Sequence, residues 1–355
     1  MARDATSAHR ALALASVALL VVACGGGSSP TASPEPPRKV GVMIDSGSDH
    51  DKSFNEFTLK GAREASSEAG YQFVYVTPQA ASDYANTLES MIAAESPDLV
   101  VTVGFRMGDA TARAAQAHPG IRFAIVDNAY SPGAGCADTV ADCYTEEGGL
   151  STVTSLMFAE DQVAYLAGVL AGCMTQTGTV ATVGGIEIPP VVRFVTGFET
   201  GARAQRPDVR TLHQYIPDFN DPETGETVAQ GFINQGADVV FGAGGNTGNG
   251  ALLAAKDAGV MAIGVDVDQF HTYPEVGSAL LTSAAKNVDV AAAAAVRDFA
   301  AGRLEGGVRV FTLANGAIGL APYHDWDQRI PQECKDAVTA AEAAVKADPT
   351  ITGAG

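Results

Sequence analysis

The stretch KVGVMIDSGSDHDKSFN, residues 39–55, decides how the rest of the chain is interpreted. Its apolar residues at 40–44 leave no polar face, which is typical of a strand covered on both sides in a parallel sheet. A polar loop containing glycine begins at Asp45, and a helix is predicted from Phe54 to about Ala69. Strand, loop and helix in this order form the repeating unit of a parallel α/β sheet.

The loop after this first strand is a candidate binding site, because ligands of open parallel sheets bind beyond the carboxyl ends of the strands. The candidate residues are Asp45, Asp51, Ser53, Phe54 and Asn55. In the alternative interpretation, Asp51 or Ser53 only caps the following helix, which is a common role for both residue types. Phe54 favours the binding role, since an aromatic ring in the first helical turn can point into the crevice.

The N-terminal segment predicts export and a lipid anchor. Basic residues precede an apolar segment at 11–23 that is too short to stay in a membrane, which is typical of a signal peptide over residues 1–23. The segment ends in VVAC, which resembles a lipobox with Cys24 as the lipidated residue. An ordinary signal peptide with a chance cysteine is the alternative. Residues 24–38 are rich in Gly, Ser and Pro and predict a flexible tether. We therefore expect a lipid-anchored protein on the extracytoplasmic face of the cell membrane.

The formal net charge of −19 restricts the kind of ligand. A strongly acidic chain disfavours nucleic acid and phosphorylated anions, since phosphate sites usually have a basic lining. A neutral polar ligand fits this charge better, and nothing in the sequence calls for a cofactor.

Four cysteines remain besides Cys24, an even number that favours disulfides in an exported chain. Cys136 and Cys143 flank the short loop CADTVADC and are expected to pair, which leaves Cys173 for Cys334. We expect no metal site, because the cysteines form no CxxC pair and have no neighbouring histidine.

Strand and helix patterns alternate along the chain, which predicts parallel sheets with helices on both faces. The first series occupies residues 39–150 and the second residues 151–282, giving two lobes whose carboxyl-end loops face each other. The chain then returns, with residues 283–314 in the first lobe and 315–347 in the second, before a tail at 348–355. The predicted strands are 40–44, 72–76, 99–103, 123–126, 150–156, 180–183, 212–216, 239–241, 261–265 and 279–283.

Three motifs have chemical alternatives. GAGGNTGNG at 242–250 contains no GxGxxG, so its glycines indicate close approach of a ligand to the backbone more than a phosphate cradle. Asp266 and Asp268 follow a strand; without a third ligand in the sequence they favour a hydrogen-bonded vicinal diol over a metal. Ser283 and Lys286 match the SxxK of some acyl-transfer enzymes, but the accompanying SDN and KTG are absent, so a serine hydrolase is a less favoured alternative.

Four segments in this order resemble the basic membrane protein family of lipoproteins, which are similar to purine nucleoside receptors: DKSFN at 51–55, GGIEIPPVVRF at 184–194, GAGGNTGNG at 242–250 and GVDVDQ at 264–269. The resemblance extends from residue 39 to about residue 322. It implies a two-lobed type I periplasmic-binding-protein fold of the α/β class. It also implies the role of substrate-capturing component of an ABC transporter, without enzymatic activity.

The resemblance also implies a ligand shell. The residues that it places around a nucleoside are Phe54 and Phe194 on the base, Asp127 and Asn55 at its polar edge, Asp266 and Lys286 on the ribose, and Asp45, Gly244 and Gly245 completing the shell. Phe219 and Phe241 follow or end other strands and stay alternatives to Phe194. The cysteine-containing loop at 136–143 and the net acidity are departures from the family.

We therefore expect a monomeric receptor that binds a purine nucleoside between its lobes and delivers it to an ABC permease. A receptor for a sugar or another ribosyl compound is the alternative.

Overall fold

The computed structural model describes residues 37–45, 47–146 and 148–354. The predicted signal peptide, the lipidated Cys24 and almost all of the tether lie outside these described residues. Within them, no helix combines the length and the apolar character needed to cross a membrane.

The described residues alternate between strands and helices as the sequence predicts. The strands are β1 (Lys39–Met43), β2 (Gln72–Val76), β3 (Leu99–Val103), β4 (Arg122–Val126), β5 (Ser131–Pro132), β6 (Gly135–Cys136), β7 (Val153–Phe158), β8 (Thr179–Gly184), β9 (Arg210–Tyr215), β10 (Val239–Ala243), β11 (Met261–Asp266), β12 (Leu280–Ala285), β13 (Gly307–Phe311) and β14 (Gly319–Leu320). The helices are α1 (Phe54–Glu68), α2 (Tyr84–Glu95), α3 (Gly108–Ala117), α4 (Glu160–Met174), α5 (Pro189–Gln205), α6 (Pro222–Asn234), α7 (Gly245–Ala258), α8 (Gln269–Thr272), α9 (Val288–Ala300) and α10 (Gln332–Ala347).

Two six-stranded sheets form the centres of two lobes. The first sheet has the order β13-β7-β4-β3-β1-β2 and is parallel throughout. The second has the order β14-β12-β11-β10-β8-β9, with only β14 antiparallel. The two sheets therefore share one strand order and differ in the direction of the edge strand, and β4 in lobe 1 corresponds to β11 in lobe 2.

Both faces of the first sheet are covered, which explains the uninterrupted apolar run in β1. Val40 and Val42 pack with residues of α1 and α9, whereas Met43 packs on the other face with residues of α2. Helices α1 and α9 come into close contact at Gly61, where a Cβ atom would lie only 2.1 Å from the carbonyl oxygen of Asp289. A larger residue at 61 would separate the two helices that cover this face.

The chain crosses between the lobes at three places, and two of them differ from the predicted boundaries. The first crossing comes at Ala159 and not at residue 150, because β7 pairs with β4 and so belongs to lobe 1. The second comes at Lys286, because β12 pairs with β11 and stays in lobe 2. The third lies between β13 and β14. The predicted boundaries were wrong there because a doubly covered apolar strand has the same pattern in either sheet.

Both predicted disulfides are present. Cys136 pairs with Cys143 in the turn-rich stretch after β4, and Cys173 pairs with Cys334, joining the end of α4 to α10. The second bridge closes a loop with a sequence separation of 161 residues. By chain entropy such a bridge stabilises the fold by about 4 to 5 kcal/mol. The predicted tail is folded against lobe 2, since the Thr352 hydroxyl is buried and hydrogen-bonds to Asp161 on α4.

Candidate binding site

A cavity lies between the lobes, at the carboxyl ends of strands from both sheets. Its empty space is about 590 Å³, including the part that opens to solvent. Of the predicted contact residues, those that line it are Asp45, Phe54, Asn55, Asp127, Phe194, Gly244, Gly245, Asp266 and Lys286. Further lining residues, which were not predicted as ligand contacts, include Phe105, Ile188, Pro190, Val191 and Val265.

Asp51 both caps helix α1 and lines the cavity, so its capping role leaves it in position to contact a ligand. Its carboxylate accepts hydrogen bonds from the backbone N–H groups of Ser53, Asn55 and Glu56, at 3.0, 2.8 and 3.1 Å. Burial nevertheless raises the pKa of Asp51 to about 6. The prediction that Ser53 contacts the ligand has to be corrected. Its side chain is fully buried and does not line the cavity, and its hydroxyl has no hydrogen-bond partner among the described residues.

Asp45 organises one wall of the cavity from within lobe 1. Its carboxylate is bound by the guanidinium of Arg106, with Nη2 2.7 Å from Oδ1, and by the hydroxyl of Tyr84. The guanidinium carbon of Arg106 lies 5.9 Å from the ring centre of Phe219 in lobe 2. Asp45 therefore positions Arg106 beside an aromatic wall residue. The pairing of Arg106 with Asp45 was not predicted, because the two residues are 61 positions apart in the sequence.

The three candidate stacking rings have different surroundings. Phe241 is fully buried in the core of lobe 2, with its ring centre 5.1 Å from that of Phe198, and it does not line the cavity. Phe194 lines the cavity but is 4% exposed and packs edge-on against Phe241 at 5.9 Å. Phe219 is half-buried and also lines the cavity. Phe54 faces them from lobe 1, which leaves Phe194 and Phe219 as candidates for the second ring.

Gly244 lets two loops of lobe 2 meet at the cavity wall. A Cβ atom at this position would lie 2.4 Å from the backbone nitrogen of Gly185. Helix α7 begins at the next residue, Gly245, whose φ is +56°. The glycine-rich segment therefore presents bare backbone to the cavity, as predicted from its composition.

Lys286 stands at the second crossing and is the centre of a buried ionic network. Its ammonium nitrogen lies 2.6 Å from Asp127 Oδ2 and 2.8 Å from Glu160 Oε1. Glu160 begins α4 directly after the first crossing, and its other oxygen lies 2.6 Å from Nε of Arg193 on α5. Burial would lower the pKa of Lys286, but Asp127, Glu160 and Asp266 outweigh it and raise the pKa. The ammonium is thus held between the crossing segments, although the sequence reasoning had assigned it to the ribose alone.

Two aspartates occupy equivalent places in the two lobes. Asp127 follows β4 and Asp266 ends β11, and each has a φ of 66°. Both carboxyl groups are buried, which raises the pKa of Asp127 to about 6 and that of Asp266 to about 7, with Lys286 opposing the shift in each case. Among the described residues, Asp127 has an ion-pair partner in Lys286, whereas no side chain hydrogen-bonds to Asp266.

The cavity wall contains hydrogen-bond acceptors that receive no hydrogen bond from the described residues. Within the described part of the chain, Oδ1 of Asn55 and Oδ1 of Asp127 are buried and lack a hydrogen-bond partner. The wall contains the carboxyl groups of Asp45, Asp51, Asp127 and Asp266 but, among the residues described, only one cationic side chain, Lys286. A ligand that supplies N–H and O–H donors would satisfy these acceptors, whereas an anion would be repelled.

The lobes touch each other beside the cavity. Asn249 of α7 donates a hydrogen bond to the backbone oxygen of Asp51 at 2.8 Å, and Thr272 of α8 donates one to the backbone oxygen of Lys52 at 2.8 Å. The ammonium of Lys52 lies 3.3 Å from Glu275 and 3.9 Å from the ring centre of Tyr273. These contacts join the loop after β1 to lobe 2, so the structure represents a closed arrangement.

Ser283 does not have the geometry of an SxxK nucleophile. It lies in strand β12, not on a helix, and its hydroxyl accepts a hydrogen bond from the backbone N–H of Gln269 at 3.1 Å. The ammonium of Lys286 is bound to carboxylates. The spacing that suggested one helical turn is therefore a coincidence of sequence.

Comparison with known proteins identifies the family. The family model described as "ABC transporter substrate-binding protein PnrA-like" (Bmp) matches residues 38–343. The chain belongs to this family. It is 29% identical to "ABC transporter nucleoside-binding protein BmpA" of Lactococcus lactis subsp. cremoris, over 94% of each chain. It is 32% identical to "Basic membrane protein A" of Borreliella burgdorferi, over 70% of this chain and 68% of that protein.

Solved structures support the fold. A solute-binding protein of an ABC transporter system from Aeropyrum pernix K1 has a TM-score of 0.77 and 26% identity, covering 88% of this chain and 92% of that one. The predicted two-lobed α/β fold of periplasmic solute-binding proteins is confirmed. The Bmp-family chain is thus a substrate-binding protein of an ABC transporter, and the predicted resemblance was correct.

Proposed function

We propose that this Bmp-family protein binds a purine nucleoside in the cavity between its lobes and delivers it to an ABC permease. The observation that carries the proposal is the surplus of buried acceptors beside aromatic rings. Asn55 and Asp127 each present a buried oxygen that lacks a donor among the described residues, and no described side chain donates to Asp266. Phe54, Phe194 and Phe219 supply apolar faces. A nucleoside offers both a flat base and several hydroxyl and N–H donors.

The base is assigned to the space beside Phe54. Stacking of a base on an aromatic side chain contributes about 1 to 3 kcal/mol. We assign the second ring to Phe219 together with Phe194: Phe219 is the more exposed of the two and has Arg106 beside it. Oδ1 of Asn55 and Oδ1 of Asp127 are lobe 1 acceptors without a donor among the described residues, suited to the N–H donors of a purine edge.

The ribose is assigned to lobe 2. A carboxylate accepts hydrogen bonds from two adjacent hydroxyls, and Asp266 has a buried carboxyl group with no side-chain donor in the described residues. The relative in Lactococcus lactis is named as nucleoside-binding, which agrees with this assignment. Neutral nucleosides also suit the acidic wall better than nucleotides do, since a phosphate would approach Asp51, Asp127 and Asp266.

Calorimetry of the purified protein with inosine, guanosine and adenosine tests the proposal. We expect saturable binding of at least one nucleoside and at least about a hundredfold weaker binding of its 5′-monophosphate. D-ribose and D-glucose are the controls. Binding of a free sugar but of no nucleoside would favour the alternative, a sugar receptor.

The remaining expectations concern location and partners. We propose that the protein acts as a monomer, anchored by lipid on Cys24 at the extracytoplasmic face of the cell membrane; lipoprotein relatives support this location. A Cys24→Ala variant should leave the membrane fraction while its purified form keeps nucleoside affinity. Retention of that variant in detergent-extracted membranes would contradict the anchor.

A further inference from the structure

Three side chains outside the cavity converge on one point of lobe 2. Asp268 lies just after β11, His271 lies on α8, and His324 lies between β14 and α10. One ligand atom from each residue lies within 4.8 Å of the other two. None of the three lines the nucleoside cavity, so the cluster requires an explanation of its own.

The geometry is close to what a tetrahedral metal ion needs. The Nε2 atoms of His324 and His271 lie 2.8 and 3.8 Å from the same oxygen, Oδ2 of Asp268. A zinc ion bonded to imidazole nitrogen and carboxylate oxygen at about 2.0 to 2.2 Å holds neighbouring donor atoms about 3.3 Å apart. The observed distances lie on either side of this value. Shifts of about half an ångström would bring both imidazole nitrogens to this distance from Oδ2, and the three ligand atoms already lie within 4.8 Å of one another.

Neighbouring groups already hold two of the three side chains, those of His324 and Asp268, in position. The ring of His324 stacks on Phe270, with centroids 4.1 Å apart and an interplanar angle of 12°. The other oxygen of Asp268, Oδ1, accepts a hydrogen bond from the backbone N–H of Phe270 at 3.3 Å. Such outer contacts fix the rings and carboxylates of metal sites. His271 is 70% exposed in its side chain and can rotate to become the third ligand, with water completing the coordination.

We propose that Asp268, His271 and His324 bind one divalent transition-metal ion, with zinc as the preferred type. Imidazole with carboxylate suits zinc, copper and nickel, whereas calcium and magnesium prefer oxygen ligands alone. The simpler interpretation is a hydrogen bond between His324 and Asp268, with His271 nearby only by chance. That interpretation accounts for one imidazole but not for the approach of two to the same oxygen. The sequence favoured no metal at Asp266 and Asp268 because it showed no third ligand, and His324 is 56 residues away from Asp268.

Zinc titration of the full chain tests the site. The protein is purified without a histidine tag and freed of metal with a chelator, and Zn²⁺ binding is measured by calorimetry. We expect one equivalent to bind with a dissociation constant on the order of micromolar. The double variant His271→Gln/His324→Gln should bind at least about tenfold more weakly. His213→Gln is the matched control, since His213 pairs with Glu199 elsewhere on lobe 2, and it should bind zinc as the natural protein does.

A spectroscopic readout separates a real site from weak surface binding. Co²⁺ substituted at a tetrahedral site gives visible absorption bands, which should appear in the natural protein and vanish in the double variant. Equal thermal melting of the metal-free proteins shows that both are folded. Sub-stoichiometric zinc binding by the natural protein, or equal binding by the double variant, would overturn the proposal. Either result would leave the nucleoside assignment untouched, because none of these residues lines the cavity.

Discussion

Asp127 and Asp266 occupy the same place in the two lobes but differ in what holds them. Asp127 follows β4 and Asp266 ends β11, and these two strands hold the same position in the strand order of their sheets. Each residue has a φ of 66°. Asp127 is bound by Lys286 at 2.6 Å. Asp266 has no hydrogen bond from a side chain in the described part of the chain, and burial raises its pKa to about 7.

The difference separates an aspartate that the protein satisfies in part, through Oδ2 of Asp127, from one whose carboxyl group depends on a ligand for its hydrogen-bond donors. A buried carboxylate with an ammonium beside it contributes to the closed arrangement whether or not a ligand is present. A buried carboxyl group without donors costs free energy until a ligand supplies them. The chain thus places the same residue at both strand ends and uses the crossing residue Lys286 to distinguish them.

Replacing Lys286 should cost the most stability. Asp127 and Glu160 are only 4% and 0% exposed, and a Lys286→Met variant would leave Asp127 without its cation and Glu160 with Arg193 alone. Loss of one partner from a buried ionic network typically costs about 3 to 5 kcal/mol. We expect the free energy of unfolding, measured by urea denaturation of the ligand-free protein, to fall by about this amount.

Two further variants serve as controls for Lys286. Lys256→Met removes an exposed lysine that pairs with Asp257 on the surface, and it should change stability by less than about 1 kcal/mol. Adding Asp127→Asn to Lys286→Met should restore part of the loss, because one uncompensated carboxyl group is gone. A loss below about 1 kcal/mol in Lys286→Met would show that the network does not support the fold.

Replacing Asp266 should reduce affinity and leave stability intact. Asp266→Ala loses a charge-assisted hydrogen bond to the ribose, worth about 1.5 to 3 kcal/mol, or roughly ten- to a hundredfold in the dissociation constant. Calorimetry with a nucleoside and its 2′-deoxy analogue measures the effect. We expect the natural protein to prefer the ribonucleoside and the variant to bind both forms about equally.

The matched control is Asp257→Ala, an aspartate exposed on the surface of the same lobe, which should keep the affinity of the natural protein. If the natural protein itself binds both nucleosides with equal affinity, the assignment of the ribose to Asp266 is wrong. A large loss of stability in Asp266→Ala would instead place it with Asp127 as a structural residue.

The raised pKa of Asp266 makes binding depend on pH. A ligand that donates hydrogen bonds favours the ionised carboxylate, so affinity should rise with pH through about 7 and level off above it. For a pKa of about 7, affinity at pH 6 should be about tenfold lower than at pH 8. Calorimetry over this range should show a much smaller change in Asp266→Asn.

The stability of the ligand-free protein should respond to pH with the opposite sign. A carboxyl group whose pKa is raised by folding binds more protons in the native state than in the unfolded state, so it lowers stability as pH rises from about 4 to 7. Asp51 and Asp127, each with a pKa of about 6, act in the same direction.

The two pH responses distinguish binding from folding. A nucleoside affinity that falls as the pH rises would contradict the role of Asp266 as an acceptor.

The sequence predicted the positions of the two aspartates but not the difference between their surroundings. Strand ends were predictable because apolar runs end abruptly, and this placed Asp127 and Asp266 at the cavity. The partner of Asp127 was not predictable, because Lys286 is 159 residues away in the sequence and the crossing that it marks was predicted too early, after residue 282. Glu160 was not predicted as a site residue either. Its role depends on the first crossing, which the sequence placed at residue 150.

The aromatic residues show a second limit of sequence reasoning. Phe194, Phe219 and Phe241 all belong to segments near the cavity, but their ring directions depend on helix and strand orientation. Phe241 points into the core against Phe198, whereas Phe219 follows β9 in a loop and reaches the cavity. Local patterns give the position of a side chain along the chain, and packing between α5 and the second sheet decides which face it takes.

The smallest effect concerns Lys52, which connects lobe 1 to lobe 2 without touching either aspartate. Its ammonium pairs with Glu275, with side-chain exposures of 37% and 68%, and lies over the ring of Tyr273. An exposed pair contributes at most about 1 kcal/mol, and an exposed cation–π contact about 0.5 to 1 kcal/mol. Both are made only when the lobes are closed, so they favour the form that encloses the nucleoside. Lys52→Ala should therefore weaken nucleoside binding about two- to fivefold, mainly through faster dissociation.

Stopped-flow measurement of the dissociation rate checks this, with Lys60→Ala as the control because Lys60 lies over Phe57 on its own helix. Equal dissociation rates in Lys52→Ala and the natural protein would show that closure relies on the ligand and on the bonds of Asn249 and Thr272 alone.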